Sequence, residues 1–363
     1  MIPCAASAAK ERITTLLAKA LPEISAEKGM FLDWRAVFIA LWQAEHALPQ
    51  NGKLHNLLVN IIDEFPLIEF VRSTLATELY DLDKYRSDVD SIKLTEIQEY
   101  SDPTAAASRL VDLFDSLPWN YVLSVPLRPD LGSLLPTNNS EYQLGPEVNI
   151  VCPNEDFAQQ FPLAADTERQ NQRIHPPSNP FSDPFAANPF SDPFAASLDG
   201  SALLPPSPTP NRSWNSTLYL QIRADGFIGS YGGSEPALNA ERTIRAICGL
   251  GLALWLFDFE RKYSPEIPSY LVVHRRVGGR WKIETQFKAT DRTSRALDGL
   301  KLHALDGLDT DQSRIAWRSR KLDEMQIIFS AGDKAQSIIL ASQWLMNSYT
   351  ERDELLMFKR WSF

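Results

Sequence analysis

One stretch of the chain is unfit for a folded core, and it divides the sequence into two parts. Residues 176–210 hold 10 of the 25 prolines and only three charged residues. Proline fixes φ and lacks a backbone N–H, so a segment this rich in it forms neither a helix nor an inner strand. The sequence therefore predicts a disordered Pro-rich linker over residues 166–211.

The linker contains a nine-residue tandem repeat. NPFSDPFAA occupies residues 179–187 and recurs unchanged at 188–196. Two copies of nine residues are too short to stack into a solenoid. They indicate a duplication inside a tolerant loop, which costs little loop-closure entropy. Alternatively, the NPF and DPF tripeptides resemble those that eukaryotic endocytic adaptors present, which would make the protein an interaction adaptor.

The segments on either side of the linker differ in pattern, and together they predict an α+β fold. Residues 1–118 carry apolar residues at helical spacing, with 11 basic and 18 acidic residues, and predict an acidic helical region. Short β-branched runs with Pro and Gly punctuation in 119–165 and 212–310 predict a mixed α+β domain. Residues 311–363 return to a helical pattern.

Local signals predict several elements. Asp102-Pro103 is typical of a helix start, because Asp caps well and Pro suits the first helical position. Gly278-Gly279 between two alternating runs predicts a tight hairpin, and Asp225-Gly226 predicts a turn into a second strand. Gly249 and Gly251 predict close packing of the central helix. The helices predicted in the second half are Glu241–Glu260, Thr293–Leu302, Asp311–Phe329 stopping at Gly332, and Lys334–Tyr349 with Asp333 as N-cap.

Composition narrows the class of protein. The net charge of −10 argues against a generally basic nucleic-acid coat. Cys4, Cys152 and Cys248 are odd in number and too widely spaced for a metal knuckle, which favours a reducing cytoplasm. The N-terminus lacks the pattern of a signal peptide, and the longest apolar run, 246–257, is too short to cross a bilayer. We expect a cytoplasmic protein with no membrane partner.

The chemistry-bearing motifs are few. No dinucleotide loop, phosphate loop, zinc-protease helix or nucleophile elbow occurs, so the sequence predicts no cofactor. His303 precedes Asp306, Asp309 and Asp311, but Gly307 is misplaced for a calcium loop. This spacing favours a helix capped by Asp309 or Asp311 over a metal site.

One segment of the chain is basic, although the chain as a whole is acidic. Residues 261–326 hold 14 basic and 9 acidic residues, a net charge of +5. Guanidinium forks and an aromatic ring suit phosphate binding and base stacking, although Lys and Arg also protect solvated edge strands. The candidate nucleic-acid-binding residues are His274, Arg275, Arg276, Arg280, Trp281, Lys282 and His303.

The chain resembles bacterial proteins that carry an Apea-like HEPN domain. The resemblance covers residues from roughly 115 to 358, apart from the linker. The segments that carry it are LPWNYVLSVPL, LYLQIRADGFIGSYGGSEP, CGLGLALWLFDFERKYSP, VHRRVGGRWKIE, LDGLKLHALDGLDT and FSAGDKAQSIILASQWLMNSYTERDELLMF.

This resemblance implies a helical bundle that dimerises and, in many members, a metal-independent RNase. The family signature is an Arg followed four to six residues later by His, late in the bundle. Here the resemblance ends near Phe358, so the signature is absent from that place. Arg169 and His175 match the spacing, but they lie at the mouth of the linker, and catalysis needs held geometry. We therefore expect a C-terminally truncated relative with an incomplete HEPN-like segment.

The resemblance and the residues lead to three functional hypotheses. The leading one is a sensor or regulatory part of a HEPN-type RNA-targeting defence or toxin protein, without a complete catalytic motif and with RNA as a partner. The alternatives are an active metal-independent RNase, with an unrecognised site around the hairpin and His303, and the adaptor. We expect a homodimer through C-terminal apolar residues that lack a cover of their own, namely Leu355, Leu356, Phe358, Trp361 and Phe363.

Overall fold

The computed structural model describes residues 7–27, 31–32, 34–48, 52–62, 64–81, 91–135, 140–161, 217–229, 235–261, 269–308 and 310–351. Within these residues the protein is α+β: helices and an antiparallel sheet share one main hydrophobic core. The linker, its repeats, the pair Arg169 and His175, and the C-terminal residues 352–363 lie outside the described residues.

The N-terminal region is mainly helical. Its helices are α1 (Ser7–Ala20), α2 (Trp34–Glu45), α3 (Gly52–Ile61), α4 (Pro66–Asp81) and α5 (Pro103–Asp115). Buried Ile13 and Leu17 lie on one face of α1, which packs against α2 and α5. The helix start at Asp102 is confirmed, because its carboxylate accepts from the backbone N–H groups of Thr104 and Ala105 at 2.9 and 3.1 Å.

A small sheet sits within this helical region, which the sequence did not predict. Its strands are β1 (Ser25–Glu27), β2 (Phe31–Leu32) and β3 (Ser91–Lys93), in the order β2-β1-β3 with antiparallel pairing. Strands of two or three residues are too short to show the period-two alternation that reveals a strand.

A buried carboxylate joins two of these helices. Glu45 ends α2, and its carboxylate accepts the backbone N–H of Ile68 at 2.9 Å at the start of α4. Such a group supplies one of the acceptors that the first turn of a helix lacks. Burial raises the pKa of Glu45 to about 7, outweighing the backbone N–H bonds from Ile68 and Leu67. The folded protein therefore favours the protonated form of this side chain.

We expect Glu45→Gln to change how stability depends on pH. The folded pKa of about 7 lies above the ordinary glutamate pKa of 4.5, so the stabilisation is complete below about pH 4.5 and is lost as the pH rises through 7. The variant should match the wild type near pH 5 and exceed it by about 2–3 kcal/mol at pH 8. Urea unfolding at pH 5, 6.5 and 8 measures this. The control Glu96→Gln changes an exposed carboxylate and should leave the dependence of unfolding free energy on pH unchanged. If the pH dependence of Glu45→Gln runs parallel to that of the wild type, the prediction is refuted.

The remaining strands form one large and one small sheet. They are β4 (Trp119–Pro126), β5 (Glu141–Gly145), β6 (Val148–Val151), β7 (Tyr219–Gly226), β8 (Phe257–Phe259), β9 (Tyr270–Val277), β10 (Arg280–Lys288) and β11 (Leu300–Leu302). The large sheet has the order β10-β9-β4-β7-β6-β5 with every neighbouring pair antiparallel, and β8 pairs with β11.

The two faces of the large sheet have different environments. On β4, Tyr121, Leu123 and Val125 belong to the main core. Ser124 points the other way because successive side chains alternate between faces. This second face, called the outer face below, carries a smaller apolar cluster together with polar residues.

The predicted hairpin is confirmed, whereas the second predicted turn is wrong. β9 and β10 pair across Gly278 and Gly279, whose φ angles of +57° and +82° are those that glycine adopts readily. At Gly226 no second strand follows in the described residues 227–229. The reason is that β7 already lies between β4 and β6, so neither of its edges is open to a returning strand.

The central helix, α7 (Glu235–Ala253), ends earlier than predicted. The Trp255 N–H donates to the Leu252 carbonyl at 3.1 Å, and the Leu256 N–H donates to the Gly251 carbonyl at 2.8 Å. These two bonds form a Schellman motif, in which the residue with positive φ is usually glycine. Trp255 occupies that position with a φ of +64° and is 65% exposed. After this turn the chain continues into β8, a strand that lies within the helix predicted from the sequence.

The other helices are α6 (Glu155–Gln160), α8 (Asp291–Gly299), α9 (Asp311–Ser330) and α10 (Gln336–Thr350). The predicted stop at Gly332 is confirmed by its φ of +57°. The predicted cap at Asp333 is wrong, because a 3-10 turn from Gly332 to Ala335 precedes α10 and no side chain caps that helix. Likewise Thr310, rather than Asp309 or Asp311, caps α9 by accepting the Ser313 N–H at 3.2 Å.

The glycines of α7 have the packing role that the sequence predicted. A Cβ atom at Gly249 would lie 2.7 Å from the carbonyl carbon of Ser342 in α10, and closer still to its oxygen. At Gly251 a Cβ atom would overlap the ring of Phe257. None of the helices in the described part of the chain is long and apolar enough to span a membrane.

Candidate nucleic-acid interface

A row of polar side chains crosses the outer face of the large sheet. Ser124 of β4 is paired in register with Gln221 of β7, and Gln221 is paired with Asn149 of β6. All three are buried. Buried polar groups on a sheet face are held by hydrogen bonds to one another or to a ligand.

Aromatic residues border this polar row. The short helix α6 begins at Asn154, whose side chain accepts the Phe157 N–H at 2.8 Å. Phe157 and Phe161 pack on the sheet, and the Phe161 ring lies 5.6 Å from the Trp281 ring at an interplanar angle of 30°. The helix cap therefore places an aromatic wall beside the polar row.

Between the wall and the row lies a groove of about 250 Å³. Asn149, Gln221 and Arg223 line it from the sheet, while Phe161 and Trp281 line it from the side. Ligand pockets in proteins are usually somewhat larger, from about 300 Å³ upward. The groove is therefore suited to one flat group of the size of a nucleobase.

Each of the two amides of the groove makes a hydrogen bond within the sheet. Asn149 Nδ2 donates to Glu141 Oε1 at 2.6 Å, and Gln221 Nε2 donates to Ser124 Oγ at 3.2 Å. A carboxylate accepts but does not donate, so the contact with Glu141 fixes which atom of Asn149 is the nitrogen. Neither amide oxygen accepts a hydrogen bond from the residues that the structure describes.

Two of the predicted hairpin residues are not on a binding surface. His274 is fully buried, and the centre of its ring lies 5.3 Å from the centre of the Phe161 ring, with the two ring planes nearly perpendicular. Arg275 points to the opposite face, where its Nε lies 2.8 Å from Glu284 and its guanidinium stacks 3.9 Å from the Trp119 ring. Strand alternation separates these side chains, which the count of basic residues did not take into account.

Arg276, Arg280 and Lys282 are exposed cations near the turn of the hairpin. The Arg276 guanidinium lies 6.0 Å from the centre of the Trp281 ring, at the limit of a cation–π contact. Trp281 also lines the groove, so Arg276, its cross-strand partner, is next to the aromatic wall. Arg280 and Lys282 pair with Val277 and Arg275, and they therefore project to the other face of this edge hairpin. These three cations are called the hairpin cations below.

His303 lies in a different place. Its Nδ1 is 2.7 Å from Asp258 Oδ1, and the rings of Trp255 and Trp317 lie 5.5 and 6.2 Å from its own ring. Trp317 belongs to α9, which packs on the edge strand β5, while the hairpin forms the opposite edge of the sheet. The structure therefore does not bring His303 together with the hairpin residues.

Several residues that line the groove were not recognised as site residues from the sequence alone. Asn149, Gln221 and Arg223 alternate with apolar residues in their strands, as polar residues on any solvated face do. Their proximity depends on pairing between β6 and β7, which local patterns do not reveal. Asp258 was missed because the sequence predicted a helix there.

In the described ranges, no group of three or more His, Cys, Asp or Glu side chains is placed to hold a metal ion. The apolar residues proposed for partner binding, Leu355, Leu356, Phe358, Trp361 and Phe363, lie outside those ranges. Comparison of the chain with family models, curated proteins and solved structures returned no match.

Proposed function

We propose that this chain is a sensor or regulatory part of a HEPN-type RNA-targeting protein, and that it binds single-stranded RNA without cutting it. The observation that carries the proposal is the aromatic-walled groove, with Arg276 beside it and Arg280 and Lys282 at the same end of the hairpin. Proteins that bind single strands combine stacking rings with cations that follow the backbone. The resemblance to Apea-like HEPN proteins supports the choice of RNA.

In the proposed binding mode the groove holds a base and the hairpin cations hold phosphates. One base enters the groove against Trp281 with Arg276 beside it, and the adjoining backbone crosses the edge strand β10, so that its phosphates reach Arg280 and Lys282 on the other face. Guanidinium groups suit this role because their fork of donors matches two phosphate oxygens. The net charge of −10 disfavours RNA binding over the surface as a whole, so binding depends on a local group of cations.

We expect the hairpin cations to supply most of the salt-dependent affinity. Changing Arg276, Arg280 and Lys282 together to Gln should weaken binding of a fluorescent single-stranded RNA by at least about tenfold at 0.1 M salt. The slope of log affinity against log salt should fall by about 2, as expected for three lost phosphate contacts. Fluorescence anisotropy over a salt series measures both values, and the RNA recovered afterwards should be intact.

A matched control changes three exposed cations elsewhere, Arg12, Lys19 and Lys334, to Gln. The net charge changes equally, so only a local effect separates the two triple variants. Equal losses in both would contradict the proposed interface, as would a wild-type protein that binds no RNA.

A second candidate function is a metal-independent RNase, and the contact between His303 and Asp258 favours it. An acceptor at Nδ1 orients the imidazole and leaves Nε2 as a base in the neutral ring. RNA cleavage by the wild type that His303→Ala abolishes would favour this function over the regulatory one.

The C-terminal helices support a homodimer. Ser342 and Met346 of α10 face Gly249 of α7, while Leu340 and Trp344 are 49% and 53% exposed one turn apart. A helix that is apolar on both sides is normally covered on both. The resemblance to dimerising HEPN bundles makes a second copy of this chain the proposed cover.

We expect Leu340→Glu with Trp344→Glu to convert a dimer of twice 40.9 kDa into monomers. Two charges on the face would remain unpaired in a buried interface, which costs more than the apolar contact contributes. Light scattering after size exclusion gives the mass. The control Ile39→Glu alters a residue of α2 that is 66% exposed and should leave the dimer intact. A monomeric wild type would refute the proposal.

A further inference from the structure

Trp255 has a backbone conformation that glycine adopts more easily. Its φ of +64° lies in the left-handed region, where a residue with a Cβ atom meets steric repulsion. The residue is largely exposed, so burial of its apolar surface does not offset this strain. Strain that is kept in this way is a feature of positions that contact a ligand.

The neighbours of Trp255 support its exposed ring. The His303 ring lies 5.5 Å from the Trp255 ring at an interplanar angle of 71°. His303 Nδ1 is 2.7 Å from Asp258 Oδ1, and Asp258 Oδ2 accepts the Ala304 N–H at 3.3 Å. The His303 N–H also donates to the Leu256 carbonyl at 3.1 Å. An aromatic ring that is exposed and already held loses little conformational entropy when a ligand stacks on it.

The ring contacts continue from His303 to a basic part of α9. The Trp317 ring lies 6.2 Å from the His303 ring, and Trp317 belongs to α9. Arg314 and Arg318 are three residues before Trp317 and one residue after it, so the three side chains share one side of the helix.

This part of α9 has an excess of positive charge. Residues 311–321 hold four cations and one carboxylate, although the net charge of the chain is −10. Arg318 donates to the backbone carbonyl and the hydroxyl of Ser133 at 3.0 and 3.1 Å, and it pairs with no carboxylate among the residues that the structure describes. Burial lowers the pKa of Arg318, and so does Arg314, whereas Asp311 raises it. An anion beside these guanidinium groups would reduce their mutual repulsion.

These features together indicate the class of ligand. Trp255 offers a stacking face to a flat ring, and the two arginines offer donors to an anion. The ring contacts run from Trp255 through His303 to Trp317, so the arginines flank the far end of this row. The charge of a matching ligand is therefore separated from its ring. A nucleotide has this construction, because its ribose joins the base to the phosphate.

We propose that Trp255 is the stacking surface of a nucleotide-binding site and that Arg314 and Arg318 hold the phosphate. His303 and Asp258 are positioning residues, since they hold the Trp255 ring. The inference goes beyond the proposed function and does not rest on it, because the hairpin forms the edge of the sheet opposite to the one on which α9 packs. A free nucleotide and a nucleotide within RNA share the chemistry of this site.

Fragments of a nucleotide test the two halves of the site. The protein for this titration is the full-length chain with Arg276, Arg280 and Lys282 changed to Gln, which removes the hairpin cations. AMP should bind at least about tenfold more tightly than ribose 5-phosphate, which lacks the base, and than adenosine, which lacks the phosphate. Isothermal titration measures the affinities. Equal affinities for AMP and either fragment would overturn the proposal, as would phosphotyrosine binding as tightly as AMP.

Variants of Trp255 separate a binding role from a structural one. Trp255→Gly should weaken AMP binding at least about tenfold, while its melting temperature equals or exceeds that of the unmodified chain because the glycine relieves the strain. Trp255→Tyr keeps a stacking ring and should bind AMP within about threefold of the unmodified chain. The control Trp42→Ala removes a tryptophan of α2 that is 39% exposed and should keep the AMP affinity.

Two results with Trp255→Gly would overturn the proposal. An undiminished affinity for AMP would show that the base stacks elsewhere. A melting temperature lower by more than about 3 °C would show that packing of the ring within the fold accounts for the strained residue.

Variants of the arginines test the phosphate contact. Changing Arg314 and Arg318 together to Gln should bring the affinity for AMP to within about threefold of that for adenosine. The control changes Arg12 and Lys19, two exposed cations of α1, to Gln and should keep the preference for AMP. A preference that persists in the variant of Arg314 and Arg318 would overturn the assignment of the phosphate.

Oligonucleotides distinguish the two sources of the ligand. If a hexanucleotide of adenosine binds the same protein at least tenfold more tightly than AMP and also depends on Trp255, the ligand is RNA; equal affinities identify a free nucleotide. Loss of RNA binding through the hairpin cations with AMP binding intact would refute the proposed function alone. Failure of the Trp255 and arginine tests with hairpin binding intact would refute this inference alone.

Discussion

Replacing Glu241 with Ala is expected to lower the free energy of unfolding by about 3–5 kcal/mol, the range for breaking one side of a buried ion pair. Glu241 is 4% exposed and lies in α7. Its carboxylate accepts from the backbone N–H of Thr290 at 3.2 Å, from the Thr290 hydroxyl, and from the Thr293 hydroxyl at 2.6 Å. Thr290 caps α8, so this carboxylate fastens α8 to the central helix.

Loss of the Glu241 carboxylate would also leave Arg245 close to other cations without this negative charge. Arg245 Nη1 lies 3.5 Å from Glu241, and this guanidinium is 13% exposed. Burial lowers the pKa of Arg245, Glu241 raises it, and the nearby cations Arg292 and Arg242 lower it further. Without the carboxylate, a buried positive charge remains among others.

Denaturant unfolding with matched variants checks this prediction. Glu235→Ala removes an exposed carboxylate of the same helix, paired with Arg242 at 2.8 Å, and should cost at most about 1 kcal/mol. The double variant Glu241→Ala with Arg245→Leu should recover part of the loss, because the uncompensated charge is gone. Equal effects of the Glu241 and Glu235 changes would show that the network contributes little.

Replacing Gly249 with Ala is expected to destabilise the protein by about 3 kcal/mol, although Ala is the better helix former. In an open helix the change would stabilise by roughly 0.5–1 kcal/mol. Here the new methyl group would overlap the backbone carbonyl of Ser342, and a backbone atom moves only if α10 moves. Overpacking of this kind costs about 1–3 kcal/mol and sometimes more.

Hydrogen exchange gives this change a local readout. If α10 is displaced, the amides of residues 336–350 should lose protection before those of the large sheet do. The control Gly278→Ala places a methyl group in open space at a φ of +57° and should cost only about 1–2 kcal/mol of backbone strain. Stabilisation by Gly249→Ala would mean that α7 and α10 are not in close contact.

How far the sequence predicts the fold depends on whether the signal is local. Gly278-Gly279 and Asp102-Pro103 act through their own backbone angles and bonds, so the hairpin and the start of α5 follow from a few neighbouring residues. The end of α7 at Trp255 could not be predicted from the sequence, because the positive-φ position of a Schellman motif is normally glycine. The turn at Asp225-Gly226 fails because the edges of β7 are occupied by strands distant in sequence.

The candidate site depends even more on distant pairing. Asn149 and Gln221 are neighbours because β6 and β7 pair, although residues 150–220 separate them along the chain. His274 and Arg275 were grouped by charge, but alternation and the partner Glu284 place them on opposite faces. The exposure of Arg276, Arg280 and Lys282 follows from the local pairing of a hairpin tip, and their role in binding stays a prediction.

The order of strands in the large sheet has a consequence for synthesis on the ribosome. The central strand β4 lies between β7 and β9, both of which are made later and from beyond the linker. Until both have emerged, the nascent chain carries β4 with its two edges and its apolar Tyr121, Leu123 and Val125 unpaired. Open edges of this kind are where chains aggregate. A slowly translated message should therefore make this protein depend on chaperones more than the stability of the finished fold would suggest.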